Sequence, residues 1–250
     1  MNTSSILITG AAGALGRVVF RCLQRDGLRV RGFDRYSCPW DGEVDWVLGD
    51  LQSPQDCQRA LVGVGTLIHL AAVPDDAPFE TDLIPSNILG LHHLLEAAKK
   101  VAVQKILIAS TGQVVWEPLN HGPWPIRANA TPSPRSWYAL TKVFAEQAGL
   151  VLARDHGIDV MNIRLGACPR SAQHAEVIGQ DDIARDVYLS PRDLGHFFSL
   201  AVAVDWKGLH CLNAASAPLV QERLSLAEAK ALIGYEPRDC WPMGAEAYWL

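Results

Sequence analysis

The sequence has no continuous apolar run of the length that a transmembrane helix needs, about 18 residues. Its first five residues carry neither the basic nor the apolar stretch of a secretory signal peptide. Six cysteines are present, but no two of them form a C-x-x-C pair, which argues against a zinc site and a disulfide framework. We therefore expect a cytoplasmic protein with reduced thiols, no bound metal and no membrane partner.

Positive charge is scarce as well. The 22 Lys+Arg residues are outnumbered by 27 Asp+Glu residues, which gives a formal net charge of −5. Proteins that bind nucleic acid usually carry a basic patch or stripe. The nearest approach to one is Lys99-Lys100, at the end of a predicted helix, where cations suit the helix dipole. The composition favours a small-molecule ligand and predicts no nucleic-acid partner.

Apolar residues make up 49% of the 250 residues, enough for a large core. Short apolar runs alternate with helical patterns, and the strands are apolar on both faces, which predicts a parallel sheet covered by helices on both sides. The predicted strands are 6–9, 28–33, 46–48, 66–70, 105–109 and 159–163, and the predicted helices are 15–23, 54–62, 82–101 and 137–155. We expect one α/β domain over residues 1–250, a doubly wound parallel sheet of the Rossmann type.

Two stretches interrupt this alternation. Residues 116–137 are rich in proline and are predicted to form a long irregular loop, and such loops are usually functional. Residues 166–190 show no clear periodicity, and we expect them to form a small C-terminal substrate cap together with residues 207–250. Ser190 followed by Pro191 predicts the start of a helix, and residues 225–233 predict another.

The most specific motif follows the first strand directly. It is Thr9-Gly10-Ala11-Ala12-Gly13-Ala14-Leu15-Gly16, in which three glycines stand three residues apart. Glycines at this spacing allow a tight turn, a close approach of the backbone to a pyrophosphate and close packing of the next helix. The pattern predicts that Gly10, Gly13 and Gly16 bind a dinucleotide, although small residues in a turn can also serve packing alone.

Asp34 stands at the end of the second predicted strand, where a carboxylate can accept hydrogen bonds from the adenosine ribose. Because the carboxylate would repel a 2′-phosphate, it favours NAD over NADP. Arg35 beside it is able to bind that phosphate, which leaves NADP open.

Tyr138 and Lys142 form the second constellation. Their i, i+4 spacing places both side chains on one face of a helix. A phenol titrates near pH 10, so it needs a neighbouring cation to act as a base at neutral pH. The pair indicates proton-transfer chemistry when it occurs together with a dinucleotide motif.

The sequence resembles the short-chain dehydrogenase/reductase superfamily, in particular its extended branch of NAD-dependent sugar epimerases, dehydratases and sugar dehydrogenases. The resemblance covers residues 9 to about 203 and includes the glycine motif and the Tyr138–Lys142 pair. Further matches are Asp50-Leu51 after the third strand, His69-Leu70-Ala71-Ala72 after the fourth, and Asn87 with Gly90 on the next helix. The resemblance implies that Asp50, Leu51 and Ala71 contact the cofactor.

A serine or threonine at the end of the fifth strand completes the catalytic set of this family, and the resemblance assigns that role to Thr111, with Ser110 adjacent. Thr111 would donate to the substrate oxygen, and Tyr138 would transfer the proton. Lys142 would hold the nicotinamide ribose and lower the pKa of Tyr138. Capping of the strand end is the alternative role for Thr111.

Within this branch the sequence is most similar to uronate dehydrogenases, through its length, through residues 163–168 and through residues 234–237. The likeness implies that Arg164 binds a substrate carboxylate, with fixation of loop carbonyls as the alternative. Ser110 and Gln113 are the other predicted substrate contacts. Positions that are polar in those enzymes are Pro74, Gly112 and Gln113 here, which leaves the substrate open.

We expect an NAD-dependent oxidoreductase that transfers a hydride between a nicotinamide cofactor and a hydroxyl or carbonyl of a small sugar or sugar acid. The alternatives are a sugar epimerase or dehydratase that recycles its NAD, and a dinucleotide sensor without catalysis. The resemblance also implies a homodimer that pairs through helices 82–101 and 137–155, although the apolar faces of both can be satisfied within one subunit.

Overall fold

The computed structural model describes residues 5–75 and 77–248, and in them seven strands form one sheet with the order β3-β2-β1-β4-β5-β6-β7. Every neighbouring pair of strands is parallel. The strands are β1 (Ser5–Thr9), β2 (Val30–Asp34), β3 (Trp46–Leu48), β4 (Val64–His69), β5 (Lys105–Thr111), β6 (Asp159–Leu165) and β7 (Leu209–Ala214). The predicted fold class, a doubly wound parallel sheet of the Rossmann type, is confirmed.

Helices connect the strands. The α-helices are α1 (Ala14–Arg25), α2 (Pro54–Ala60), α3 (Leu91–Lys100), α4 (Trp116–His121), α5 (Trp137–His156), α6 (Ala172–Gln180), α7 (Asp182–Asp186), α8 (Pro191–Ala203) and α9 (Ala227–Ile233). A π-helical segment, Phe79–Gly90, precedes α3, and short 3₁₀ turns span Gly112–Val114 and Ala245–Tyr248. In the part of the chain that the structure describes, none of these helices has the length and apolar character needed to cross a bilayer.

The core lies in two layers, one on each face of the sheet. On one face, α1 and α8 pack with Val19, Phe20 and Phe197 against the strands. On the other face, α2, α3 and α5 bury Leu94 and Leu152. The strand order reverses between β1 and β4, which leaves a crevice at their carboxyl ends, where ligands bind in open α/β sheets.

The predicted cap is wrong in one part. Residues 207–250 were assigned to the cap, but Leu209–Ala214 pair with β6 as the last strand of the sheet. His210, Cys211 and Asn213 interrupt the apolar pattern of this strand, and β7 tolerates them because it is an edge strand with one neighbour.

Three further expectations need correction. The proline-rich stretch 116–137 contains α4, whose Pro118 lies in the first turn, where proline removes no helical hydrogen bond. Residues 166–190 contain α6 and α7, which begin at side-chain caps: Ser171 Oγ accepts from the His174 N–H at 3.1 Å, and Asp181 Oδ1 accepts from the Ile183 N–H at 2.8 Å. The helix predicted at 82–101 begins at Phe79, and its first part, which contains Pro85, is π-helical.

Candidate active site

The turn that joins β1 to α1, residues 10–16, is made possible by two of its glycines. Gly10 has φ +71°, and a Cβ there would lie 2.7 Å from the backbone of Ala71. A Cβ on Gly16 would lie 2.0 Å from the carbonyl oxygen of Gly10. No side chain caps the N-terminus of α1, so its first N–H groups face the crevice as donors suited to a phosphate.

Beside this glycine turn lies a cavity of about 240 Å³, which we call the Asp34 cavity. Asp34 Oδ2 accepts a hydrogen bond from the Ala12 N–H at 2.9 Å, and Asp34 Oδ1 accepts one from the Tyr36 N–H at 3.1 Å. Each carboxylate oxygen keeps a second lone pair for a ligand hydroxyl. The other predicted cofactor contacts, Asp50, Leu51 and Ala71, line the same cavity.

The segment after β4 is held by buried polar side chains from the matching family motifs. His69 Nδ1 lies 2.8 Å from Thr9 Oγ1, which also accepts from the Ala71 N–H at 3.3 Å. Burial lowers the pKa of His69 to about 3, so the ring is neutral at neutral pH. Asn87 bonds to both the N–H and the carbonyl of Val73, at 2.8 and 3.0 Å. These side chains position the wall of the cavity rather than a reacting group.

A second cavity, of about 470 Å³, contains the predicted catalytic residues, and we call it the Tyr138 cavity. Lys142 Nζ lies 5.8 Å from the centre of the Tyr138 ring and donates to the Ala109 carbonyl at 3.0 Å. Burial lowers the pKa of Lys142 to about 8. Burial raises the pKa of Tyr138, Asp75 raises it further, and Arg170 lowers it.

The two hydroxyls at the end of β5 have different partners. Ser110 Oγ donates to Glu146 Oε1 at 2.6 Å, which uses its proton. Thr111 Oγ1 accepts from the Gln113 N–H at 3.3 Å, which leaves its own proton free to donate. Ser110, Thr111 and Gln113 line the Tyr138 cavity. Of the two hydroxyls, the one of Thr111 is therefore available to a substrate oxygen.

Arg164 lies outside the lining of the Tyr138 cavity. Its side chain is only 3% exposed and donates from Nε and Nη2 to the two carboxylate oxygens of Glu146, both at 2.9 Å. Its Nη1 donates to the Ala130 carbonyl at 3.2 Å, and Arg164 is absent from the lining of the Tyr138 cavity. The prediction that Arg164 binds a substrate carboxylate is therefore wrong, because its guanidinium already binds the buried carboxylate of Glu146.

Lys142 was predicted, but sequence reasoning missed three other titratable residues of the Tyr138 cavity as site residues. Arg170 and His174 come from the stretch after β6, and Asp75 comes from the segment after β4. Glu146, which stands four residues after Lys142 on α5, was missed although the i, i+4 spacing could have indicated a shared face.

The two cavities meet at the glycine turn. Gly10, Gly13, Leu70 and Ala72 line both of them. A dinucleotide laid across this edge would place its pyrophosphate at the uncapped N-terminus of α1, its adenosine beside Asp34 and its nicotinamide toward Tyr138. The residues present therefore fit such a cofactor.

A Rossmann-type sheet with this groove and a tyrosine–lysine pair defines the short-chain dehydrogenase/reductase class of dinucleotide-dependent enzymes. Residues 6–168 match the model of the NAD dependent epimerase/dehydratase family, and the chain belongs to that family. The cofactor of this protein is accordingly a nicotinamide dinucleotide, NAD or NADP.

Known sugar dehydrogenases are among the relatives. The chain is 28% identical to L-arabinose 1-dehydrogenase (NAD(P)(+)) of Haloferax volcanii over 94% of its own length and 96% of that protein. It is 29% identical to uronate dehydrogenase of Pseudomonas syringae pv. tomato, over 76% of this chain and 71% of that protein. The structure is similar to that of glucuronic acid dehydrogenase from Chromohalobacter salexigens, with 25% identity, a TM-score of 0.79 and coverage of 96% and 86%.

Proposed function

We propose that this protein is an NAD-dependent dehydrogenase that oxidises a ring hydroxyl of a free sugar or sugar acid. The observation that carries the proposal is the Tyr138 cavity, in which the predicted Thr111, Tyr138 and Lys142 line one space that opens from the glycine turn. The Haloferax and Pseudomonas relatives carry names of enzymes that act on free sugars and sugar acids.

Thr111 and Tyr138 are the residues that would touch the reacting hydroxyl. Thr111 donates its free proton to the substrate oxygen, and Tyr138 removes the proton of that hydroxyl as a general base. Burial raises the pKa of Tyr138, which opposes the phenolate in the protein alone. A further positive charge beside the phenol is therefore required for the base to act near neutral pH.

Lys142 supplies part of that charge and fixes the cofactor. One of its three N–H donors is held by the Ala109 carbonyl, which aims the ammonium group and leaves two donors for the hydroxyls of a ribose. A bound oxidised cofactor would supply the hydride acceptor and a further positive charge near the phenol. The lysine keeps its own proton throughout and acts by its electric field.

Asp34 is the basis for proposing NAD rather than NADP. Its carboxylate is held by two backbone N–H groups at the edge of the Asp34 cavity, where it would accept from ribose hydroxyls and repel a phosphate. Arg35 lies over the Tyr36 ring, 5.6 Å from its centre, and is exposed. The ratio of kcat/KM with NAD to kcat/KM with NADP tests this preference.

The stretch 166–190 is proposed as the substrate cap. Eleven of the residues around the Tyr138 cavity come from it, including Arg170, His174 and Ile178. They bring apolar surface, the cation Arg170 and the anion Asp181 against this space. The guanidinium of Arg170 can bind an acidic group of a small polar molecule.

The decisive experiment is a panel of uronic acids, aldoses and nucleotide sugars, assayed with NAD and NADP by the absorbance of the reduced cofactor. We expect NADH to accumulate with a uronic acid or an aldose, and Tyr138→Phe to lower kcat by at least 100-fold. Conversion of a sugar without net NADH would support an epimerase instead. Near wild-type turnover by Tyr138→Phe would refute the assignment of the base.

We also propose a homodimer formed through α3 and α5. Leu140, Phe144 and Val151 form an apolar stripe on α5, each at least 40% exposed. A partner subunit would cover such a stripe, because a contiguous exposed apolar patch is uncommon on a monomer. Sedimentation should show a dimer for the wild type and a monomer for Phe144→Glu.

The cytoplasm is the compartment that we propose. All six cysteines, of which Cys57 and Cys168 are buried, are free thiols. Fractionation of cells that express the tagged protein would test this location directly.

A further inference from the structure

An ion pair joins two loops across the Tyr138 cavity. Arg170 Nη2, in the segment after β6, donates to Asp75 Oδ2, in the segment after β4. Both residues line the cavity, and both act on the pKa of Tyr138, Asp75 raising it and Arg170 lowering it. The pair therefore lies close to the hydroxyl that would receive the substrate proton.

Among the described residues, the other basic side chains around this cavity have partners other than a carboxylate. Lys142 is buried and bound to a carbonyl. Arg135 is exposed, with its guanidinium over the Trp116 ring, 4.3 Å from the ring centre. Burial and the neighbouring Arg170 lower the pKa of His174, which keeps the ring neutral. Among the described residues that line the cavity, Arg170 is the cation that pairs with an exposed carboxylate, that of Asp75.

The partner of Arg170 is readily replaced. The side chains of Arg170 and Asp75 are 36% and 51% exposed, and ion pairs at such positions contribute little to stability. The contact uses one nitrogen of the guanidinium, whereas a guanidinium can bind a carboxylate with two parallel hydrogen bonds. A substrate carboxylate that binds in this way would make the better partner.

We propose that Asp75 is an internal substitute for the substrate's carboxylate: it neutralises Arg170 in the free enzyme and is displaced when an acidic sugar binds. The proposal rests on the proposed function and deepens it, because it selects sugar acids over neutral sugars. It also makes Asp75 a specificity determinant, since its carboxylate competes for Arg170 with anionic ligands.

Two substitutions separate the partners. Asp75 has φ +57°, a conformation that asparagine tolerates better than most residues, so Asp75→Asn removes the charge and keeps the backbone. Arg170→Gln removes the cation. Asp45→Asn is the matched control, because it removes a similarly exposed aspartate that pairs with Arg31 and does not line the cavity.

The first measurement is calorimetric titration of D-gluconate into the protein saturated with NADH. We expect Asp75→Asn to bind gluconate about two- to fivefold more tightly than the wild type, the range measured for exposed ion pairs. We expect Arg170→Gln to bind it about 10- to 100-fold more weakly, because a charge-assisted pair is lost. Gluconate binding that is absent from the wild type, or unchanged in both variants, would overturn the proposal.

The second measurement is the ratio of kcat/KM for D-glucuronate to that for D-glucose, with NAD as the cofactor. We expect this ratio to rise about two- to fivefold in Asp75→Asn, to fall about 10- to 100-fold in Arg170→Gln, and to stay constant in Asp45→Asn. A ratio that moves in the same direction in both cavity variants would contradict the exchange. If no sugar is oxidised, the proposed function fails, and the gluconate titration still decides the role of Asp75.

Discussion

The buried pair of Arg164 and Glu146 gives the sharpest test of how this site is held together. The two side chains are 3% and 5% exposed and share two hydrogen bonds of 2.9 Å between β6 and α5. Arg164→Met keeps an unbranched stem at this position but removes the charge and all of the donors. Glu146 is then left buried with Ser110 as a remaining donor, at 2.6 Å.

The expected loss of stability is large. Breaking a buried ion pair by removing one partner lowers the free energy of unfolding by about 3–5 kcal/mol, because an uncompensated charge stays in the interior. For a chain of this size each kcal/mol changes the melting temperature by about 2–4 °C, so Arg164→Met should melt roughly 6–20 °C below the wild type. Adding Glu146→Gln removes the stranded charge and should restore more than half of the loss.

Urea unfolding followed by circular dichroism measures the free energy of unfolding of the single and the double variant. The KM for sugar acids is measured for the same proteins. If Arg164 bound the substrate carboxylate, Arg164→Met would raise KM for sugar acids and leave the melting temperature unchanged. That result would refute the structural role assigned here. A double variant that is no more stable than Arg164→Met alone would refute the stranded-charge explanation.

Three further predictions follow from individual contacts. Gly16→Ala should weaken NAD binding at least 10-fold and lower the melting temperature, because the new Cβ would lie 2.0 Å from the Gly10 carbonyl oxygen. Gly13→Ala places its Cβ 3.2 Å from the same atom and should weaken binding less. Calorimetry measures both effects. Asp34→Ala should lower the NAD-to-NADP ratio of kcat/KM at least 10-fold, and an unchanged ratio would contradict its role. His69 has a folded pKa of about 3 against an ordinary 6.5, so its contribution to stability is present above pH 6.5 and is lost as the pH falls toward 3. Urea unfolding of His69→Gln between pH 6.5 and 4 should therefore show a pH dependence shallower by up to about 1.4 kcal/mol per pH unit.

Much of the fold could be predicted because local pattern and tertiary structure agree. The strands β1, β5 and β6 are buried along almost their whole length, as a parallel sheet covered on both faces requires. β7 was missed because an edge strand with polar residues gives no such signal. α6 and α7 were missed because caps at Ser171 and Asp181, rather than apolar periodicity, define where they begin.

The candidate site also has a part that local sequence pattern predicts and a part that it does not. Tyr138 with Lys142, and the glycines of the turn, stand at fixed spacings within one element, so the sequence alone brings them together. Asp75 and Arg170 meet across 95 residues on two loops, and Arg164 meets Glu146 across 18. No local sequence pattern indicates such partners, which is why Arg164 was predicted to bind a substrate carboxylate, whereas Arg170 lines the cavity.

The difference between contacts fixed within the sheet and helices and contacts made between loops has a functional consequence. α5 is tied to two successive residues of β5, through Lys142 to the Ala109 carbonyl and through Glu146 to Ser110. The residues proposed for proton transfer are thus held by the core of the sheet, whereas Arg170, which also lines the cavity, lies on a loop with an exposed partner. Substitutions in the loops that carry Asp75 and Arg170 can change which sugar is accepted without moving Tyr138 relative to Thr111. Substrate range should therefore vary with these two loops, while the chemistry at Tyr138 stays constant.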